Sequence, residues 1–220
     1  MSPVRAILFD RDGVLTRFDM NAIQQQLVPL LPVPLTRVAD AWRIWCETHA
    51  CPTTIAEESL FWSSFWAHIA LEMSMSAETH AALEKFDYTK VLLPHDDARD
   101  ALAFTKGRGM RVGVLSNFPL ASIDQSLHAV GLRDLIDVAF SATTIGHAKP
   151  SPRSYELALE ALQVRADECL FFDDEIECVE GARAIGMTAY WVDRRLGRSV
   201  VNGFVVGGLD VIPTLVQTTT

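Results

Sequence analysis

Apolar residues along this chain fall into short, nearly continuous runs separated by stretches with helical spacing. The runs "VRAILFD" (4–10), "RVGVLSN" (111–117), "DVAFSA" (137–142), "ECLFFDD" (168–174) and "TAYWVD" (188–193) read as strands. Strands without polar alternation suit a parallel sheet covered on both faces. The segments between the later runs carry helix signals. "HDDARDALAFTKGRG" (95–109) has acids in its first turn and Gly107 or Gly109 as a stop, and "ASIDQSLHAVG" ends at Gly131. "SPRSYELALEAL" offers Ser151 as N-cap with Pro152 at the first helical position, and "ECVEGARAIG" ends at Gly186. Strand alternating with helix implies right-handed crossovers and an α/β fold with a doubly wound parallel sheet.

The alternation breaks from about Thr16 to Lys90, where only helices and no strand are predicted. "TTIAEESLFWSSFWAHIALEM" opens on a capping box, Thr54 and Glu57, and places Ile55, Trp62, Phe65, Trp66, Ile69 and Met73 on helical spacing. "LTRVADAWRIWCETHA" lines up Val38, Trp42 and Trp45, and "SAETHAALEKF" adds Leu83 and Phe86. The proline-rich "VPLLPVPLT" reads as a connector. Residues 16–90 are therefore expected to form a small α-helical unit inserted into a sheet unit made of 1–15 and 91–220. Four of the five tryptophans fall in the insert and are expected to fill its core. "GFVVGGLDVIPTLV" (203–216) reads as an edge strand and a final short helix, and the three closing threonines are expected to be disordered.

Composition narrows the function. With 220 residues, 49% hydrophobic content and a net charge of −9, the chain can build a sizeable core but lacks the basic excess that nucleic acid or an anionic membrane requires. No apolar run approaches the roughly 18 residues of a spanning helix, and no signal peptide is visible. The four cysteines (46, 51, 169 and 178) show no metal-like spacing and fit free thiols in a reducing compartment. A cytoplasmic location is expected.

Open parallel sheets bind ligands beyond the carboxyl ends of their strands. The first strand ends in "DRDG", Asp10-Arg11-Asp12-Gly13. Alone, this reads equally well as a strand running into an ordinary turn. The second strand ends in Ser116-Asn117 and the fourth in Asp173-Asp174, while Lys149-Pro150 follows the third. Four carboxylates, one ammonium and a hydroxyl would then share one edge. Uncompensated, the carboxylates repel and their pKa values rise. A divalent cation relieves this, and an oxygen donor set with no His or Cys cluster points to Mg²⁺. In such a site a carboxylate can attack phosphorus, and a second carboxyl two residues on can exchange the leaving-group and water protons. Mg²⁺ and Lys149 can neutralise phosphoryl oxygens while Ser116 donates a hydrogen bond. Alternation along an extended chain points Asp10 and Asp12 the same way. Arg11 is then expected to point away from both and to be peripheral, and Gly13 to make the turn.

Together these four motifs, in this order and on these strands, resemble the haloacid dehalogenase (HAD) superfamily over roughly residues 4–215. The resemblance implies a Rossmann-like core and makes the insert similar to a mobile α-helical cap that closes over the site. It implies Asp10 as nucleophile and Asp12 as general acid/base. Mg²⁺ would be held by Asp10, the Asp12 carbonyl and Asp174, with Asp173 close by, and the phosphoryl group by Ser116 and Lys149 with help from Asn117. Two positions depart from the pattern. Arg11 replaces a usual apolar residue, and Cys178 stands where many relatives carry Asn.

Asp12 and the acidic pair argue against the dehalogenase branch, and the lack of any lysine between Asp12 and Leu83 against the phosphonate-cleaving one. Phosphatase action on a small phosphate monoester is the favoured expectation. A sugar phosphomutase and a non-catalytic binding protein on the same fold remain as alternatives. A monomer and a homodimer are both compatible with the aromatic-rich insert. His147, Arg17, Arg43 and His68 are read first as solvated or locally paired.

Overall fold

The computed structural model describes residues 3–218. Its centre is β1 (Ala6–Phe9), whose four residues are wholly buried. Successive side chains of a strand point to opposite faces. Ile7 and Phe9 therefore enter one apolar cluster, while Ala6 and Leu8 enter the cluster on the other face. Both faces are covered, so the run needs no polar alternation.

The chain leaves β1 through a turn into β2 (Thr16–Phe18) and then runs through four helices: α1 (Met20–Gln26), α2 (Leu35–Thr48), α3 (Ile55–Glu72) and α4 (Ala77–Leu83). It returns through β3 (Leu92–Pro94), which pairs antiparallel with β2. The strand at 16–18 corrects the expectation of helix alone over 16–90. Three residues whose partner lies some 75 positions away leave no periodic signal to read. The rest follows as α5 (Ala98–Gly107), β4 (Arg111–Ser116), α6 (Ile123–Ala129), β5 (Val138–Ser141), α7 (Ala142–Ile145), α8 (Pro152–Leu162), β6 (Cys169–Asp173), α9 (Ile176–Ala184) and β7 (Thr188–Val192). The strands β8 (Val201–Asn202) and β9 (Val205–Val206) and the helix α10 (Ile212–Thr218) complete it. Thr218 thus ends a helix, and Thr219 and Thr220 lie outside the described residues.

The sheet order is β5-β4-β1-β6-β7-β9-β8, parallel except for β8 at its edge. Phe9 pairs with Val114 on one side and Phe172 on the other. The carboxyl ends of β1, β4 and β6 are thereby brought level at the centre of the sheet.

The four helices share a third apolar cluster, to which the loop after β4 contributes Leu120 and Phe118. Trp42 stacks on Trp62 with ring centroids 4.3 Å apart, and Phe65 meets Trp42 edge-on. The helix starts are fixed locally: Asp19 caps α1, the Thr54–Glu57 capping box opens α3, and Ser76 caps α4. Ile55 departs from expectation. It occupies the first turn of α3 and is exposed, whereas Phe61, one turn and a half further on, takes the core position.

Candidate active site

Six of the seven residues predicted for the site line one cleft. Asp10, Asp12, Ser116, Asn117, Lys149 and Asp174 surround a cavity of about 320 Å³ together with Gly13, Phe118 and Glu175. The seventh, Asp173, lies behind Lys149. A larger hollow of about 460 Å³, between α2 and α3, is lined by residues such as Arg37, Ile44 and His68 and holds none of these carboxylates.

Each side chain is placed by where its strand stops. Asp10 follows β1, and its N–H still donates to the Phe172 carbonyl at 2.8 Å. Beyond it the backbone folds back, with the N–H groups of Leu15 and Thr16 both donating to the Arg11 carbonyl. Gly13 adopts φ +77°, in the left-handed region that favours glycine. A Cβ at Gly13 would also stand 2.0 Å from Oδ2 of Asp174, so the turn and the acidic pair after β6 interlock.

The Lys149 ammonium is buried between two carboxylates, 2.5 Å from Oδ1 of Asp10 and 2.6 Å from Oδ2 of Asp173. Burial opposes its charge, but Asp10 and Asp173 outweigh that and raise its pKa above the usual lysine range. Its loop is pinned by Asn117. The Asn117 amide donates to the Lys149 carbonyl at 2.9 Å and its oxygen accepts from the Lys149 N–H at 2.8 Å. The Asn117 side chain is thus committed to the lysine loop. Asp173 has both oxygens engaged, the second accepting from the Glu175 N–H. Ser116, at the end of β4, accepts from the Phe118 N–H through its hydroxyl oxygen, which leaves the hydroxyl hydrogen to donate into the cleft.

Three carboxylates therefore crowd together around a single ammonium that touches two of them, Asp10 and Asp173. Oxygens of Asp10, Asp173 and Asp174 lie within 4.8 Å of one another. Burial pushes the Asp10 and Asp173 pKa values up against the pull of Lys149, and the Asp173 charge adds to the rise at Asp10. Asp174 is raised to about 6, by burial first and the Asp10 charge second. An excess of hard oxygen donors held close in a partly buried cleft fits a small divalent cation.

Arg11 contradicts expectation. The strand has ended at Phe9, so alternation no longer governs residue 11, and its side chain folds under the turn. It is wholly buried. Its Nη2 donates to Oδ2 of Asp12 at 2.7 Å and its Nε lies 3.2 Å from both Asp12 oxygens. Nη1 donates to Ser126 Oγ at 2.9 Å, and the guanidinium carbon sits 4.0 Å from the centre of the Phe118 ring. Thr16 Oγ1 donates to the other Asp12 oxygen at 3.1 Å.

Beside this group lies a polar contact that sequence reasoning missed. Glu58, on α3, accepts from the N–H of Ser122 at 2.7 Å and its hydroxyl at 2.6 Å, and Tyr88 meets the same hydroxyl at 2.8 Å. A buried acid within the apolar face of a helix was the one available signal. The other candidates stay local. Arg43 pairs with Glu47, His68 with Glu72, and His147 is exposed in its loop. All four cysteines are free, and the Cys178 thiol donates to Glu175 at 3.2 Å.

An aspartate just after the central strand, a buried lysine and an acidic pair at the end of the adjacent parallel strand thus meet at one edge of the sheet. The family model of the haloacid dehalogenase-like hydrolases matches residues 4–186. The chain belongs to this family. Phosphatase MT3486 of Mycobacterium tuberculosis (strain CDC 1551 / Oshkosh) is 38% identical over 192 residues, covering 87% of this chain and 88% of that protein. (S)-2-haloacid dehalogenase 2 of Pseudomonas sp. (strain CBS-3) is 25% identical over 227 residues, 99% and 97% of the two chains. The solved HAD phosphatase from Thermococcus onnurineus superposes with a TM-score of 0.64 at 21% identity, over 96% and 97%. The chain is thus a hydrolase of the HAD fold, and relatives of both chemistries share it. Among the described residues no helix is long and apolar enough to cross a membrane.

Proposed function

We propose that this chain is a Mg²⁺-dependent phosphatase of a small, soluble phosphate monoester, working through an aspartyl phosphate. The observation that carries this reading is the second carboxylate, Asp12, in the same cleft as Asp10. Hydrolysis of an ester needs a proton donor for the leaving oxygen, whereas displacement of a halide does not. Asp10 attacks phosphorus in line, the ester P–O bond breaks, and Asp12 gives its proton to the departing oxygen. Water then attacks the phosphorus, Asp12 takes its proton, and the Asp10 carboxylate is regenerated. Lys149 and Ser116 hold the phosphoryl oxygens, and Asp173 and Asn117 hold Lys149. Asp10, Asp174 and the Asp12 carbonyl would hold Mg²⁺, which when bound supplies neutralising positive charge. The four-helix layer serves as the cap that excludes water.

The test is a phosphate-release screen over metabolite phosphates and p-nitrophenyl phosphate, run beside a halide-release assay on a 2-haloacid. Expected are phosphate release that chelator abolishes, no halide release, and a loss of at least ~10³-fold in Asp10→Asn. Full activity in Asp10→Asn, or halide as the product, overturns the reading. Isomerised phosphate without free phosphate would point to a mutase.

Stability gives a second check. The folded pKa of Asp174, about 6, lies above its ordinary 3.8, so the folded chain holds this proton more tightly. The stability contributed is complete below the ordinary value and is lost as pH rises to about 6. A cation offsets that loss only once the carboxylate has ionised. Mg²⁺ is therefore expected to raise the melting temperature more at pH 7.5 than at pH 5, with the difference reduced in Asp174→Asn and the remainder carried by Asp10, whose pKa is raised to about 7.

A further inference from the structure

We propose that Arg11 is a positioning residue for Asp12, fixing its carboxylate where it exchanges protons with the leaving group; this rests on the phosphatase reading above. A wholly buried guanidinium demands a partner, because an uncompensated buried charge is among the costliest features a fold can carry. Among the described residues the only carboxylate paired with it is its own neighbour, Asp12. The contact is a fork. Nη2 and Nε together address both oxygens, which sets the plane of the carboxylate as well as its position.

The fork is itself held. Ser126 Oγ accepts from Nη1 and in turn donates to the Ile123 carbonyl at 2.7 Å, tying the guanidinium to the first turns of α6. Phe118 covers its face. The Asp12 side chain is 37% exposed, so without these contacts it would sample several rotamers at the mouth of the cleft. Thr16, the first residue of β2, adds the remaining hydrogen bond. A lysine at position 11 would keep the charge but not the two-point geometry.

The experiment compares kcat/KM for p-nitrophenyl and phenyl phosphate, two substrates of similar shape. This parameter reports on steps up to loss of the leaving group. Phenolate is the poorer leaving group and depends more on proton donation, so a misplaced Asp12 hurts phenyl phosphate selectively. A residue that only stabilises the fold would lower both rates together.

In Arg11→Met the phenyl-to-p-nitrophenyl ratio is expected to fall about 10-fold, with KM nearly unchanged, and in Arg11→Lys about 3-fold. Asp12→Asn should show the same selectivity. If Arg11→Met does not fold, Arg11→Lys carries the test. An unchanged ratio in a folded variant, with wild-type phosphatase activity intact and Asp10→Asn inactive, overturns the role of Arg11 alone. A wild-type chain that releases no phosphate, or an Asp10→Asn variant that keeps releasing it, overturns the phosphatase reading and this role with it.

Discussion

Lys149→Met should unfold more easily than any other single site variant and lose almost all phosphate release. The ammonium sits between Asp10 and Asp173 with 1% of its side chain exposed. Its removal leaves two buried carboxylates without a counter-charge. Breaking a buried pair in this way costs about 3–5 kcal/mol, which lowers the melting temperature of a chain this size by roughly 6–20 °C. In the wild type the raised Lys149 pKa means this stabilisation is present below the ordinary lysine value of 10.5 and lost only as pH climbs through the folded value. In the variant the sign is the same but the pH window moves down to the carboxylate range. The orphaned carboxylates hold protons more tightly when folded, so its stability recovers as pH falls. Adding Asp173→Asn should restore part of the stability and none of the activity, because one buried charge is removed while the phosphoryl group still lacks its cation. Thermal melts from pH 5 to 8 and phosphate release measure both. Equal melting temperatures for Lys149→Met and wild type would show that the pair is not a net stabiliser.

Gly13→Ala separates chemistry from stability. A non-glycine residue at a left-handed φ costs about 1–2 kcal/mol, or roughly 2–8 °C in melting temperature. The greater damage is local. With its new Cβ 2.0 Å from Oδ2, Asp174 must leave its place beside Asp10. The expected outcome is a fall of about 10²-fold in phosphate release and a Mg²⁺ requirement shifted upward by about 10-fold or more. A Mg²⁺ titration of activity, set beside the melt, checks this. A variant that lost stability but kept its Mg²⁺ dependence would mean that Asp174 can move without consequence.

Much of this site was legible because its parts sit where apolar runs stop. Asp10, Ser116 and Asp173 each close or follow a strand, and the runs themselves name the strands. What escaped has physical reasons. Arg11 was read through the alternation of an extended chain, yet β1 ends two residues before it, and one turn carries its side chain under Asp12 instead of away from it. The strand β2 carried no pattern because its partner comes 75 residues later. For Asn117 the motif implies help with the phosphoryl group; only the fold shows that its side-chain amide grips the Lys149 backbone. Glu58 sits among apolar neighbours on α3 with no local hint that a serine 64 residues away donates two hydrogen bonds to it.

The β2–β3 ribbon has a consequence for how such a molecule diversifies. Because the outgoing and returning strands pair with each other, the peptide between them begins and ends about 5 Å apart. Any folded segment whose two ends meet at that spacing satisfies the same junction without changing the length or register of the central strands. The intervening piece can therefore vary in length and packing while Asp10, Asp173 and Asp174 keep their places at the ends of β1 and β6.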